Sequence, residues 1–326
     1  MKLILFDKHL KPITCNMNST QYWKNFSLGT EIDISGAFIY NGLKAFDDIQ
    51  YFIHEAEIFE VLYNLSVGIE RLCKVAIVLI EYNSSTDSKR FTESIKTHKI
   101  EYLIIRVTKN KILDLNKEEK AFINLLSHFY NSLRYDRYSE NEQNYYTKEK
   151  EVFVNYLNSE LKFSIDIRSD FILTENDSVI KSSFGKVVGN IVTRLYEIIR
   201  NEAVRLHLYT YEIREFSKAR KIFYSEKFDF LEEACAVKEL LIFFINNKNS
   251  NGVFNIIRNI KPLDLDPALA NDYIQALIHP HMLQEHLDEI EANLEDVLDK
   301  SDRIEVLELL SNLRSQFDDG DEEEID

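Results

Sequence analysis

Arg200, Asn201 and His207 are the residues of this chain whose types and spacing most directly suggest chemistry. Cutting RNA without a metal ion needs a group that exchanges a proton near neutral pH, at the 2′-hydroxyl or at the leaving oxygen. Histidine suits that task. It also needs a fixed cation against the phosphorus-centred transition state, which suits arginine. Two helical turns separate Arg200 from His207, so the spacing predicts that both share one helix face.

The surrounding segment fits a phosphate-binding role. Between Lys181 and Lys227 stand ten Lys/Arg and five Asp/Glu, with Tyr196, Tyr209, Tyr211, Phe216 and Tyr224 interleaved. Basic side chains position phosphates and aromatic rings stack on bases. Arg205, Arg214, Lys218, Arg220 and Lys221 are the candidate RNA-binding cations. The plainer reading of the same residues is a helix with solvated charges and packed tyrosines.

The elements that must carry these residues read as all-α. Glycine (8) and proline (4) are scarce in 326 residues, which favours long helices over tight turns. Residues 54–82 give the strongest pattern. Ile58, Leu62, Leu65, Ile69, Leu72, Ala76 and Leu79 recur at three- and four-residue steps. The half from Val75 to Ile80 is apolar all round, as expected for a central core helix. Further helices are predicted over 91–107, 117–135, 153–163, 179–220, 228–246 and 253–260. About three short ones follow after Pro267, broken near Pro280 and Asp299. Residues 54–82, 91–107 and 117–135 are expected to pack antiparallel as an up-and-down bundle.

The expected organisation has five parts. Residues 1–50 are a small irregular arm with short strands at 2–6 and 31–34 and turns at Ser35-Gly36 and Asn41-Gly42. Residues 51–146 are the bundle, and 147–261 a helical second half with a basic face. Residues 262–317 are an acidic helical extension, and 318–326 a disordered acidic tail. The net charge of −16 is uneven: residues 262–326 hold 20 Asp/Glu against three Lys/Arg, which leaves 36 basic and 35 acidic residues in the rest. A neutral body can still offer a local basic face to a nucleic acid; the acidic end reads as a solubilising tail after helices with solvated acidic faces, with electrostatic competition for that basic face as the alternative.

Three local signatures lie on the bundle: Gly68-Ile69-Glu70-Arg71-Leu72-Cys73-Lys74, Lys96-Thr97-His98-Lys99, and Tyr130-Asn131-Ser132-Leu133-Arg134-Tyr135-Asp136-Arg137-Tyr138. Together they resemble the HEPN superfamily of helical bundles, found in bacterial defence systems, toxins and nucleotide-handling proteins. The resemblance implies a HEPN-like fold, a homodimer and either of two functions. One is a metal-independent endoribonuclease, and the other a catalytically silent protein that dimerises or binds a partner such as an antitoxin. It also implies that Arg134 and Arg137 brace the bundle or a ligand phosphate. RNA-cutting relatives carry an Arg, a polar residue and a His four to six residues further on. No His follows Arg134 or Arg137 in this way, whereas Arg200-Asn201 and His207 match the pattern, so the resemblance implies Arg200 and His207 as the catalytic pair with Asn201 orienting them. His98 and His128 read as packing or capping residues.

Other chemistry is not indicated. No P-loop, zincin, G-x-S-x-G or G-x-G-x-x-G motif occurs. His279, His281 and His286, with Glu285 and Asp288, match no standard metal spacing, so neither metal nor cofactor is expected. Cys15, Cys73 and Cys235 are odd in number and far apart, which points to free thiols in a reducing cytoplasm. The N-terminus lacks a signal-peptide pattern and no apolar run is long enough to span a membrane.

Overall fold

The computed structural model describes residues 18–136, 138, 148–166, 173–208, 213–215, 217–248, 252–295 and 300–311. These are helical, and among them the only β-type pairing is one isolated bridge between Tyr51 and Glu175. The chain divides into two compact units, one reaching to Phe230 and the other starting at Leu231. The expected boundaries at 146/147 and 261/262 therefore fall inside units. The segments expected at 2–6 and 318–326 lie outside the described residues.

From Asn18 onward the N-terminal arm is not irregular. Helix α1 runs over Ser19–Asp48, started by a capping box in which Asn18 and Gln21 exchange side-chain and backbone hydrogen bonds. Glu31-Ile32-Asp33-Ile34 is part of this helix, not a strand. Its apolar alternation is a fragment of a longer stripe: Leu28, Ile32, Ile39, Leu43 and Phe46 are all buried. The glycines that resembled turn signals serve close helix contacts. A Cβ on Gly36 would lie 2.5 Å from that of Ala219, and one on Gly42 would lie 2.7 Å from Leu65 Cγ.

Helix α2, Glu55–Glu81, is the central element, as its pattern predicts. It lies antiparallel to α1. Ser35 Oγ donates to the Gly68 carbonyl at 2.7 Å, Arg71 pairs with Glu31, and Lys24 Nζ donates to the Tyr82 carbonyl at 2.7 Å. Lys24 thus satisfies an orphan carbonyl beyond the end of α2.

The expected helix over 91–107 is two helices, α3 Ser88–Ile95 and α4 Ile100–Asn110. Neither Pro nor Gly breaks it. Packing does: Ile100, Leu103, Ile104 and Val107 are buried, and the Thr97 hydroxyl accepts from the Lys99 amide in the break. Helix α4 also runs alongside α2 in the same direction. His98, just ahead of α4, bonds Glu70, and Arg106 bonds Glu81 eleven residues further along α2. The three segments therefore do not form the simple antiparallel bundle expected.

Helix α5, Lys117–His128, begins with an Asn116–Glu119 capping box and buries Phe122 and Leu126. It continues through a wide π-turn, Phe129–Leu133, into the short α6, Arg134–Asp136. After α7, Lys148–Ser159, comes α8, Ser178–Arg205, capped by Asp177. The first unit is closed by rings: Phe184 packs on Phe46, Phe122 and Phe153. Helix α8 ends at Arg205, short of the expected 220. It is followed by α9, Lys218–Arg220, and a second π-turn, Lys221–Ser225.

The second unit comprises α10 Leu231–Asn246, α11 Gly252–Asn259, α12 Ala270–Ile278, α13 Leu287–Glu295 and α14 Lys300–Ser311. A 3₁₀ turn over Pro280–His286 separates α12 from α13, where Pro280 predicts a break. His286 packs edge-on against Tyr273, whose hydroxyl donates to Glu289.

The α1–α2 contact has a direct test. A Cβ on Gly68 would sit 2.6 Å from Ile39 Cγ1 and 3.1 Å from backbone atoms of Ile39 and Ser35. Gly68→Val is expected to cost about 2–3 kcal/mol of unfolding free energy by overpacking. Urea titration measures it; a loss below about 0.5 kcal/mol would show that the helices part without cost.

Candidate functional site

The three sequence signatures converge on one place. Glu70 and Lys74 come from one turn of α2. His98 comes from the break between α3 and α4. Tyr130 and Arg134 come from the π-turn and the residue after it. A π-turn inserts an extra residue and re-aims the side chains it carries, which is why such turns recur at functional sites.

The centre is a carboxylate–imidazole pair. The Glu70 side chain is only 8% exposed, and one oxygen accepts from Lys74 Nζ at 2.6 Å. The other lies 3.0 Å from His98 Nδ1. A carboxylate can only accept, so Nδ1 donates, and in the neutral tautomer this leaves the lone pair on Nε2. The His98 side chain remains 58% exposed, so solvent and solutes can reach it. This differs from the packing role that the sequence suggests for His98.

Tyr130 is the shared wall. Its ring centroid lies 5.2 Å from that of His98, and the Arg134 guanidinium stacks 3.7 Å above it. Arg134 also sits 4.5 Å from the Tyr135 ring. Such stacking holds the guanidinium plane in place, and Arg134 also hydrogen-bonds the Tyr130 hydroxyl. Burial holds the Tyr130 hydroxyl above the ordinary phenol range, against the opposing pull of Arg134. Arg134 Nε is buried and has no acceptor among the described residues. An unmatched charged donor beside an exposed imidazole suits an anionic ligand such as a phosphate.

The residues chosen from the Arg–His spacing fare differently. Arg200 and Asn201 are exposed near the end of α8. His207 is exposed too, but it lies two residues beyond the helix in a left-handed conformation, with φ 54°. Arg200 and His207 therefore do not share a face of one helix. Between them Glu202 is buried and held by Lys111 and Arg205, and those contacts keep its carboxyl below the usual range despite burial. Arg205 is thus committed to an internal ion pair.

Of the other expected RNA contacts, Arg214 and Lys218 tie the 213–230 segment to α1, and Lys221 and Arg220 make contacts within the segment. Arg214 lies 3.4 Å from Asp33. Lys218 Nζ donates to Asn41 at 2.7 Å. Lys221 donates to the Asp229 carbonyl and covers the Phe230 ring at 3.5 Å. Arg220 reaches the Tyr224 ring. Arg137 lies outside the described residues. A polar groove of about 610 Å³ runs along α8 past Lys186, Arg194 and Lys227, but it contains neither Arg200 nor His207.

Glu70 was the available signal that spacing rules pass over. An acid buried in the central helix must find partners or a function. Cys73, one turn away, is buried in apolar surroundings that push its thiol far up, so it is not a nucleophile.

No protein-family model matches the chain, and no curated protein and no solved structure is significantly similar to it. Among the described residues no helix is long and apolar enough to cross a membrane, and no group of three His, Cys, Asp or Glu side chains could hold a metal ion.

The Glu70–His98 contact fixes a tautomer, and ¹⁵N NMR of the imidazole reads it. Wild type is expected to show His98 protonated on Nδ1 when neutral. Glu70→Gln, whose amide can donate, is expected to raise the share of the Nε2-protonated form. An Nε2-protonated wild type would remove Glu70 as the orienting group.

Proposed function

We propose that this chain is a HEPN-type, RNA-directed protein that cuts phosphodiester bonds without a metal ion. His98, not His207, is the proton-transfer residue in this proposal. The observation that carries it is the exposed imidazole oriented by buried Glu70, beside an Arg134 Nε that has no partner. In the proposed reaction, neutral His98 takes the 2′-hydroxyl proton on Nε2. The 2′-oxygen attacks phosphorus, the bond to the 5′-oxygen breaks, and that oxygen takes a proton from water. The products are a 2′,3′-cyclic phosphate and a 5′-hydroxyl end. Arg134 and Lys74 offset the charge on the phosphoryl oxygens, and Glu70 stabilises the imidazolium as it forms. A bacterial defence or toxin setting, a cytoplasmic location, a homodimer and an antitoxin-like partner rest on the sequence resemblance alone.

A second reading, a silent partner-binding protein, has one observation in its favour. Helix α10 buries none of its residues and exposes Leu240, Phe243, Phe244 and Ile245. Exposed apolar surface of this kind marks interaction sites.

Cleavage of a fluorescent single-stranded RNA in EDTA separates the readings. His98→Gln is expected to lower the rate by about 10²–10⁴, and Glu70→Gln by at least tenfold. Arg200→Ala and His207→Ala are expected to stay within about threefold of wild type. Full activity in a folded His98→Gln variant overturns the assignment. Wild type that neither cleaves nor binds RNA favours the silent protein.

A further inference from the structure

Four residues of α2 lie on one face. Phe59, Tyr63, Glu70 and Lys74 are spaced four, seven and four residues apart, within an arc of roughly 60° at 100° per residue. The order along the helix is two aromatic rings, then the acid that orients His98, then a cation. The rings form a row beyond the site. Phe59 and Tyr63 stack at 6.1 Å with planes 9° apart, and Tyr63 and Tyr130 at 6.1 Å with planes 27° apart. Tyr63 is 38% exposed, the one large apolar side chain of α2 that is exposed.

We infer that this face is a track for a single strand of RNA, with Tyr63 as the residue that stacks on an unpaired base next to the reacting phosphate. The inference rests on the proposed role of His98 and adds the form of the substrate. The chemistry runs in register with the helix. A strand with a base on Tyr63 runs its phosphates toward His98 and Arg134 and then toward Lys74. Tyr63 and Lys74 are eleven residues apart, about 16 Å along the axis. That span holds about five nucleotides stacked at ~3.4 Å each, and fewer when extended. A duplex cannot use the track, because its bases are already paired and stacked. Aromatic stacking accepts every base, so the track selects strandedness more than sequence. Tyr63 touches the substrate and not the reacting atoms, so it acts on binding.

The test uses the full chain and 2′-O-methyl uridine oligomers, which cannot form the cyclic product and so report binding alone. Fluorescence anisotropy is measured for oligomers of one, two, four and six nucleotides and for a 12-base-pair 2′-O-methyl duplex. Affinity is expected to rise with length and to level off near five nucleotides, with the duplex at least tenfold weaker than the hexamer. Tyr63→Ala is expected to weaken hexamer binding roughly tenfold, and Tyr63→Phe to restore it within about twofold. Circular dichroism confirms that each variant is folded. Equal hexamer binding by wild type and folded Tyr63→Ala overturns the track, even if His98→Gln abolishes cleavage. A mononucleotide or duplex bound as tightly as the hexamer also overturns it. Wild type that binds no oligomer overturns the track together with the proposed function.

Discussion

The first unit depends on the burial of α2. Sixteen of its 27 residues are buried, and they occupy every side of the helix over its second half. Burying one large apolar side chain is worth about 1.5–3 kcal/mol, so no single neighbouring helix can satisfy such an element. It must be surrounded. Helix α1 covers one side along nearly its whole length, and α4, α5, α7 and α8 share the others. The small residues follow from this demand. Ser35, Gly42 and Gly68 lie where α1 and α2 approach most closely, and a helix this enclosed tolerates glycine because contact repays the lost propensity.

The same enclosure makes Glu70 costly. A carboxylate taken from water needs partners, or it loses several kcal/mol. Lys74, one turn on, is enough to neutralise it. His98 goes beyond that requirement, because it sits at a break in the helix pattern and stays exposed. Arg134 goes further beyond it: the guanidinium stacks on Tyr130 and bonds its hydroxyl, yet its buried Nε is unmatched among the described residues. Buried polar groups are normally satisfied, and the exceptions concentrate where ligands bind. The cluster thus combines one group explained by folding with two that folding leaves unexplained.

Periodicity made the central helix legible, because Ile58 through Leu79 repeat without interruption. It made α5 and the short helices after Pro267 legible for the same reason. It misread α1, because Ser35-Gly36 and Asn41-Gly42 carry the composition of turns and only the facing helix shows them to be contact points. It joined α3 to α4, because Lys96 through Lys99 contain no breaker and the chain turns there to lay the Ile100 stripe on α2. The direction of α4 was not legible at all. That depends on whether His98 or Arg106 meets Glu70, a pairing between segments with no local trace. The three signatures were visible as strings, but their convergence is a tertiary fact.

The Arg200–His207 spacing shows why a motif needs its element. Two turns place residues on one face only if the helix lasts two turns, and α8 stops at Arg205. The stop has no Gly or Pro to announce it. Glu202 is drawn inward by Lys111 and by Arg205, and the chain then turns so that Leu208 is buried, its amide bonding the Ala203 carbonyl. Ending the helix there puts His207 at positive φ, a conformation that costs a non-glycine residue roughly 1–2 kcal/mol. The burial of Leu208 and the ion pairs of Glu202 offset that cost. Residues that match a catalytic spacing are thus arranged by the needs of a helix end. The residues that surround an exposed imidazole match no spacing rule, because they come from three separate segments and meet only when α2 is enclosed.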